Sequence, residues 1–132
     1  MIDNVYEFHQ KFDLPRGEVD CLLGDTHAQE YRVKFLQEEL DEFVEALGDG
    51  DRVKMFDALL DLAYVAYGTA LFMGVDPAQW HAGMRAVHQA NMAKVRAVAA
   101  DESKRGSTFD VVKPAGWVGP EGRLAEVLSW PK

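Results

Sequence analysis

The sequence predicts an all-α protein with a four-helix-bundle core of about residues 2–98 and an irregular C-terminal tail, or flap, of about residues 99–132. Apolar residues recur at helical spacing in several successive segments, and Gly and Pro residues separate those segments. The length of 132 residues and the content of 48% hydrophobic and 27% charged residues are typical of one globular domain. We therefore predict a single domain over residues 1–132.

The first two helices are placed by their apolar spacing and their end signals. Residues 2–12 carry apolar side chains at helical spacing and predict a short first helix. Thr26 and Gln29 fit a capping box that opens a long acidic helix, which Gly48 and Gly50 are predicted to end.

Two further helices follow directly. Asp51 is placed to cap an apolar helix that includes residues 58–73, in which Asp61 is the only charge. Asp76 and Pro77 supply the N-cap and the first-turn proline of a fourth helix, predicted to run over about residues 78–98. A helix that is apolar nearly all round is expected to lie centrally in a bundle.

The pattern changes in the C-terminal tail. Residues 101–120 combine charges with Gly, Pro and Ser, and residues 109–112 are a brief β-like stretch. Residues 121–130 are predicted to form a last short helix. We expect this tail to act as a flap.

Charge and composition narrow the classes of function. A formal net charge of -8 and a pI near 4.9 do not favour nucleic-acid binding, because no basic field replaces the counterions of a phosphate backbone. A single cysteine, Cys21, forms no internal disulfide and favours the cytoplasm, and no signal peptide is recognised. Residues 58–75 approach membrane-spanning length, but Asp61 and the other polar residues favour a helix buried in protein and no membrane partner.

The acidic helix carries a row of carboxylates beside its apolar stripe. Glu38 and Glu42 lie roughly opposite the stripe, and Glu39 lies at the edge of the acidic arc. Phe35 projects into the same arc one turn earlier, which suggests that part of this face meets protein or ligand. Side chains three and four residues apart are neighbours, so these acids can converge on one point. The alternative is an ordinary solvated helix surface. The predicted stripe consists of Val33, Leu36, Leu40, Val44 and Leu47.

Asp61, together with the row of carboxylates on the acidic helix, predicts a metal site. A carboxylate in such an apolar helix is expected to be buried, and Asp57 lies on the same face one turn away. Two carboxylates about 6 Å apart repel by about 3 kcal/mol at an effective dielectric of about 20. Ligands that are all oxygen, with neither His nor Cys, favour Mg²⁺ or Mn²⁺. The alternatives are a buried Asp61 satisfied by Tyr or Lys and a surface Asp57.

Polar residues on the fourth helix and in the tail are candidates for binding an anionic ligand. Asn91 and Lys94 occupy positions on an otherwise apolar stripe of the predicted fourth helix. Lys113 begins the tail segment Lys-Pro-Ala-Gly-Trp, which combines a cation, a turn and an aromatic ring. The alternatives are a helix end that has reached solvent and a packing anchor with a surface lysine.

Together these motifs resemble the all-α nucleoside triphosphate pyrophosphohydrolases, which include MazG-like, dimeric dUTPase-like and phosphoribosyl-ATP pyrophosphohydrolase-like proteins. The resemblance rests on Glu-Glu-x-x-Glu at 38–42, Asp-Leu-Ala-Tyr at 61–64, Asn-Met-Ala-Lys at 91–94 and Lys-Pro-Ala-Gly-Trp at 113–117. It implies Mg²⁺-dependent hydrolysis of a nucleoside or deoxynucleoside triphosphate to the monophosphate and pyrophosphate. It also implies a homodimer or homotetramer that controls the nucleotide pool.

The resemblance also implies residue roles. Glu38, Glu39, Glu42 and Asp61 would form the acidic site, and the substrate-binding positions would be Asn91, Lys94 and Lys113. Within that site we expect Glu39, Glu42 and Asp61 to hold the metal and Glu38 to activate water. The second motif of the family is Glu-x-x-Asp, and the position of its Glu is Ala58 here. Asp57, one residue away, is a weaker candidate for that missing ligand.

Two other functions remain open at this point. A di-iron bundle needs Glu-x-x-His on two helices, and no Glu here has a His three residues later. A non-catalytic helical dimer that binds a nucleotide or a protein partner is compatible with the departure at Ala58. The sequence does not fix the preferred base or sugar, the choice between dimer and tetramer, the number of metal ions or the carboxylate that activates water.

Overall fold

A computed structural model describes all residues, 1–132, as five α-helices and one two-stranded sheet. Mostly helical structure confirms the predicted all-α class. By their internal contacts the residues fall into two compact units, of which the first holds residues 1–80 together with Lys132 and the second holds residues 81–131. Each unit is described separately below.

The first unit is built on three helices: α1 (Ile2–Lys11), α2 (Thr26–Asp49) and α3 (Arg52–Phe72). Both α1 and α2 pack against α3, and α2 and α3 form an antiparallel pair joined by a tight turn. Ile2, Val5 and Leu71 are fully buried. The partly buried hydrophobic residues packed against them are Tyr6, Tyr67 and Trp80.

Capping residues explain where these helices begin and end. Asp51 accepts hydrogen bonds from Val53 N and Lys54 N, both at 3.1 Å, as its predicted cap role requires. Gly50 ends α2 at φ +67°, a left-handed conformation that favours glycine. The predicted capping box at Thr26 is wrong, because Asp25 is the N-cap of α2.

A buried arginine links α2 to α3. The Nη2 of Arg32 donates to the Val65 carbonyl at 2.7 Å, and its Nε donates to Thr69 Oγ1 at 3.1 Å. Burial lowers the pKa of this guanidinium, which the Tyr31 hydroxyl partly opposes. The absence of a side chain at Gly68 allows this close approach of Arg32 to α3, because a Cβ there would lie 2.9 Å from Nη2.

The second unit contains the larger part of α4 (Pro77–Met92), a short sheet and α5 (Glu121–Leu128). The strands β1 (Val95–Arg96) and β2 (Val111–Val112) pair antiparallel, with Val95 opposite Val112. A 3₁₀ turn at Ala100–Glu102 lies between the two strands.

The C-terminal half of α4 differs from the prediction. Asp76 caps α4 as expected, since its Oδ1 accepts from Gln79 N at 2.9 Å. The helix ends at Met92 rather than near residue 98, because residues 95 and 96 pair with the second strand instead of continuing the helix. A pairing with residues so distant in sequence overrides the local helical preference.

The predicted apolar stripe of α2 does not face the core. Leu40, Val44 and Leu47 are exposed, whereas Ala28, Arg32, Glu39 and Ala46 are the buried residues of the helix. On α3 the large side chains of Phe56 and Leu59 are also exposed. By length and composition alone, α3 is apolar enough to cross a membrane, a criterion that core helices of soluble proteins also meet.

Candidate metal centre

Three carboxylates from α2 and α3 converge at one point of the first unit. Glu39 and Glu42 are three residues apart on α2 and therefore project from neighbouring positions of that helix. Asp61 faces them from α3. One carboxylate oxygen of each residue lies within 4.8 Å of those of the other two.

Glu39 is the buried member of this acidic cluster. Glu39 is only 9% exposed, and its Oε2 is buried with no hydrogen-bond partner. Burial raises the pKa of Glu39, and the charges of Glu42, Asp61 and Glu38 raise it further. An unpaired carboxylate oxygen in such surroundings favours a proton or a cation.

The donor set of the cluster fits a hard divalent cation. Two carboxylate oxygens 4.8 Å apart repel by about 3 kcal/mol at an effective dielectric of about 20. All the ligand atoms are oxygens, which Mg²⁺ and Mn²⁺ prefer and Zn²⁺ in structural sites does not. Exposed acidic groups also occur without a metal, so the buried, unpaired oxygen of Glu39 is the observation that favours one.

The prediction placed the buried carboxylate on the wrong helix. Asp61 is exposed, and Glu39, predicted at the edge of the acidic arc, is buried. The reason is that α3 is apolar on nearly every side, so its composition does not reveal which side faces α2. Asp61 nevertheless reaches the cluster, as its metal role requires.

Glu38 and Asp57 lie outside the group of three. Glu38 is exposed and acts on Glu39 through its charge. Asp57 is exposed as well, and with Glu42 and Lys54 it lines a cavity of about 320 Å³ between the ends of α2 and α3. Ala58, at the position of the family Glu, is buried.

The three remaining predicted residues belong to the second unit. Asn91 lies in the last turn of α4 and is exposed. Lys94 lies beyond the end of α4, so its predicted place on that helix is wrong, and its backbone N–H donates to the Asn91 carbonyl at 3.1 Å. Lys113 follows β2 directly.

Lys94 and Lys113 share one aromatic ring. Their Nζ atoms lie 5.3 Å and 4.7 Å from the ring centroid of Trp117, and the indole N–H donates to the Ala90 carbonyl at 2.7 Å. The register of the short sheet, extended by one residue, places the two lysines opposite each other. Like charges across a ladder are unfavourable, so this arrangement favours an anion between them.

The same two lysines line a cavity with further charged groups. The cavity has a volume of about 430 Å³; Lys104 and Arg105 contribute two more cations, and Glu102 and Asp110 contribute two acids. Asp110, on its wall, is bound by Ser103 Oγ and by Arg105, each at 2.7 Å. These two hydrogen bonds, the Ser103 bond first, lower the pKa of Asp110 to about 2.

The sequence reasoning did not single out Arg32 or His9. His9 is buried, and its Nδ1 lies 2.5 Å from the Pro15 carbonyl, so this nitrogen carries the proton. Arg32 lies between two aromatic residues, Tyr31 and Phe35, and this position was the one sequence signal that could have indicated its role. The segment that follows α1 provides the partner of His9, and no local pattern predicts that contact.

A comparison with known protein families matches the part of the chain that contains the acidic cluster. Residues 5–91 match the model of a family described as phosphoribosyl-ATP pyrophosphohydrolase. The matched range includes the acidic cluster together with Glu38 and Asp57, and it ends at Asn91, before Lys94 and Lys113. A search of curated proteins finds no match.

Proposed function

Because the chain belongs to the phosphoribosyl-ATP pyrophosphohydrolase family, within the MazG-like all-α superfamily, we propose that it hydrolyses a nucleoside or deoxynucleoside triphosphate to the monophosphate and pyrophosphate. The family indicates an enzyme that acts on acid anhydrides. The observation that supports a nucleotide site in this chain is the acidic cluster with the unpaired oxygen of Glu39. A house-cleaning role in the cytoplasm is part of the proposal.

In this proposal Glu39, Glu42 and Asp61 hold Mg²⁺, or Mn²⁺ in its place, with Asp57 as a weaker additional ligand. The bound cation supplies charge neutralisation of the phosphates. The support is the oxygen-only donor set and the mutual repulsion of the three carboxylates. Asp57 is supported by the cavity that it shares with Glu42.

Glu38 is our candidate for the general base. Its carboxylate would take a proton from a water molecule, whose oxygen attacks the α-phosphorus as the bond to the bridging oxygen breaks. Pyrophosphate leaves with the electrons of that bond. The exposure of Glu38 beside the acidic cluster leaves its carboxylate accessible to water, which such a role requires.

Asn91, Lys94 and Lys113 are proposed to bind the phosphates of the substrate. The support is local to the second unit: two lysines face each other on one tryptophan ring, in a cavity with additional cations. The Asn91 side chain is exposed in the turn that leads to Lys94. An anion would relieve the repulsion between the two ammonium groups.

We also propose a homodimer or a homotetramer. Near the turn between α2 and α3, exposed apolar side chains lie on both helices, among them Leu47 at 54% and Phe56 at 64% exposure. Single exposed apolar residues scattered over a surface are common, but a group of them indicates an interface. A second copy of the chain would cover this group. Neither nucleic acid nor a membrane is proposed as a partner.

A panel of substrates tests the function. Deoxynucleoside and nucleoside triphosphates and phosphoribosyl-ATP are incubated with the protein and Mg²⁺, and released pyrophosphate is measured. We expect release from at least one of them, its loss in EDTA and its loss in Glu39→Gln. Glu30→Gln, at an exposed acid on the same helix that belongs neither to the cluster nor to the cavity lined by Asp57, is the control and should retain activity.

A binding module without turnover is the second candidate. The buried alanine at position 58, where the family has Glu, is the observation that favours it. Such a protein would be stabilised against heat by a nucleotide with Mg²⁺ and would release no pyrophosphate from any member of the panel. That result would refute the proposed hydrolysis.

A further inference from the structure

Two aromatic residues lie on α2 immediately N-terminal to the acidic cluster. Tyr31, Phe35 and Glu39 follow one another at intervals of four residues, so they form a row along one face of the helix. The rings of Tyr31 and Phe35 are 5.9 Å apart at an interplanar angle of 38°. Tyr31 is 49% exposed although it contacts two other rings.

Arg32 holds these rings from behind. Its guanidinium carbon lies 5.4 Å from the ring centroids of both Tyr31 and Phe35, and 4.9 Å from that of Phe72 on α3. The hydrogen bonds to Val65 and Thr69 fix the guanidinium, which is buried. The rings are therefore held in place by a rigid cation rather than free to rotate into the core.

An exposed tyrosine ring beside a half-buried phenylalanine ring, next to a site for phosphates, matches the two parts of a nucleotide. Its phosphates bind where cations or metal-ligating acids are available, and its base has a flat face that stacks on aromatic side chains. Simple core packing would bury Tyr31 rather than leave half of it exposed. No acidic side chain lies between Phe35 and Glu38 on the helix.

We propose that Tyr31 and Phe35 form the stacking platform for the nucleobase of the substrate, with Arg32 as the residue that positions both rings. This inference rests on the proposed function, since it takes the acidic cluster as the site of the phosphates. It makes the ligand a nucleotide with an intact heteroaromatic base, rather than a polyphosphate alone.

The test compares two ligands that differ in the base. The affinities for an α,β-methylene deoxynucleoside triphosphate, which resists hydrolysis, and for inorganic tripolyphosphate are measured by calorimetry in Mg²⁺. The variants Phe35→Leu and Tyr31→Leu remove a ring and retain an apolar side chain. Phe109→Leu, at a residue 93% exposed in the second unit, is the matched control.

We expect Phe35→Leu and Tyr31→Leu to weaken nucleotide binding by about tenfold or more, as loss of one stacking contact does, and to leave tripolyphosphate binding unchanged. Phe109→Leu should alter neither affinity. Circular dichroism verifies that each variant is folded, and Tyr31→Leu, at the more exposed residue, serves if Phe35→Leu does not fold.

Three results would overturn the platform. In the first, both variants keep the nucleotide affinity of the wild type. In the second, the affinities for nucleotide and tripolyphosphate fall together, which would mean that the rings stabilise the acidic cluster and do not bind the base. In the third, the variants change only the oligomeric state. Because binding is measured without turnover, these results are separate from a failure to release pyrophosphate, which would refute the hydrolysis alone.

Discussion

Gly68→Ala tests the packing that holds α1, α2 and α3 together. In an exposed helix the change from Gly to Ala stabilises by about 1 kcal/mol, because Ala has the higher helix propensity. At Gly68 the new Cβ would lie 2.9 Å from Arg32 Nη2 and 3.0 Å from His9 Nε2. Both neighbours are buried, so neither has free space into which it can move.

The expected cost follows from the hydrogen bonds of Arg32. The guanidinium is the end of a flexible side chain, so it can move, but only by giving up the 2.7 Å bond to the Val65 carbonyl. A hydrogen bond to a charged group contributes about 1.5–3 kcal/mol. Set against the gain in helix propensity, the loss should leave a net destabilisation of about 0.5–2 kcal/mol.

Urea unfolding at a fixed protein concentration measures this difference, because an oligomer makes stability depend on concentration. Gly48→Ala is the matched control: it is exposed near the end of α2, and nothing lies within 4 Å of its Cβ position. That variant should be as stable as the wild type or more so. If Gly68→Ala proves equally stable, the close contact at Gly68 does not restrict Arg32 as described.

Three other predictions concern separate parts of the molecule. Burial lowers the pKa of His9 below 6.5, so the unfolded chain binds a proton at a higher pH than the folded protein does. The protein should therefore lose stability as the pH falls below about 6.5. Urea unfolding should show a smaller loss in His9→Asn. The hydrogen bonds from Ser103 and Arg105 lower the pKa of Asp110 to about 2, so its carboxylate should stay ionised as the pH falls through 3.8. Its NMR titration should show a midpoint near 2. A midpoint near 3.8 would mean that these two hydrogen bonds do not form in solution. Leu59→Glu, on the exposed apolar surface of α3, should shift sedimentation toward the monomer, and an unchanged oligomer would exclude this surface as the interface.

The helix ends that depend on local signals were the most predictable part of the fold. Asp51, Gly50 and the Asp76–Pro77 pair act through atoms within four residues of themselves, so the sequence alone identifies them. The error at the start of α2 is a shift of one residue, from Asp25 to Thr26, two residues that are both good N-caps. Local chemistry does not distinguish them.

Features that depend on distant contacts were not predictable in this way. The end of α4 is set by a pairing between residues 95–96 and 111–112, and Arg32 meets partners more than thirty residues away. The identity of the buried acid was also hidden, because both α2 and α3 carry apolar residues on more than one side. The spacing predicted that acids of α2 and α3 converge, but it did not separate Glu38 and Asp57 from Glu39, Glu42 and Asp61, the three that do.

The central claim is that Glu39, Glu42 and Asp61 together hold a divalent cation. Electron paramagnetic resonance during a Mn²⁺ titration measures binding directly, because free Mn²⁺ gives a strong signal that declines when the ion is bound. We expect the wild type and Glu30→Gln to bind Mn²⁺ and Glu39→Gln, though folded, to lose this binding. Equal Mn²⁺ binding by Glu39→Gln and the wild type would contradict the claim.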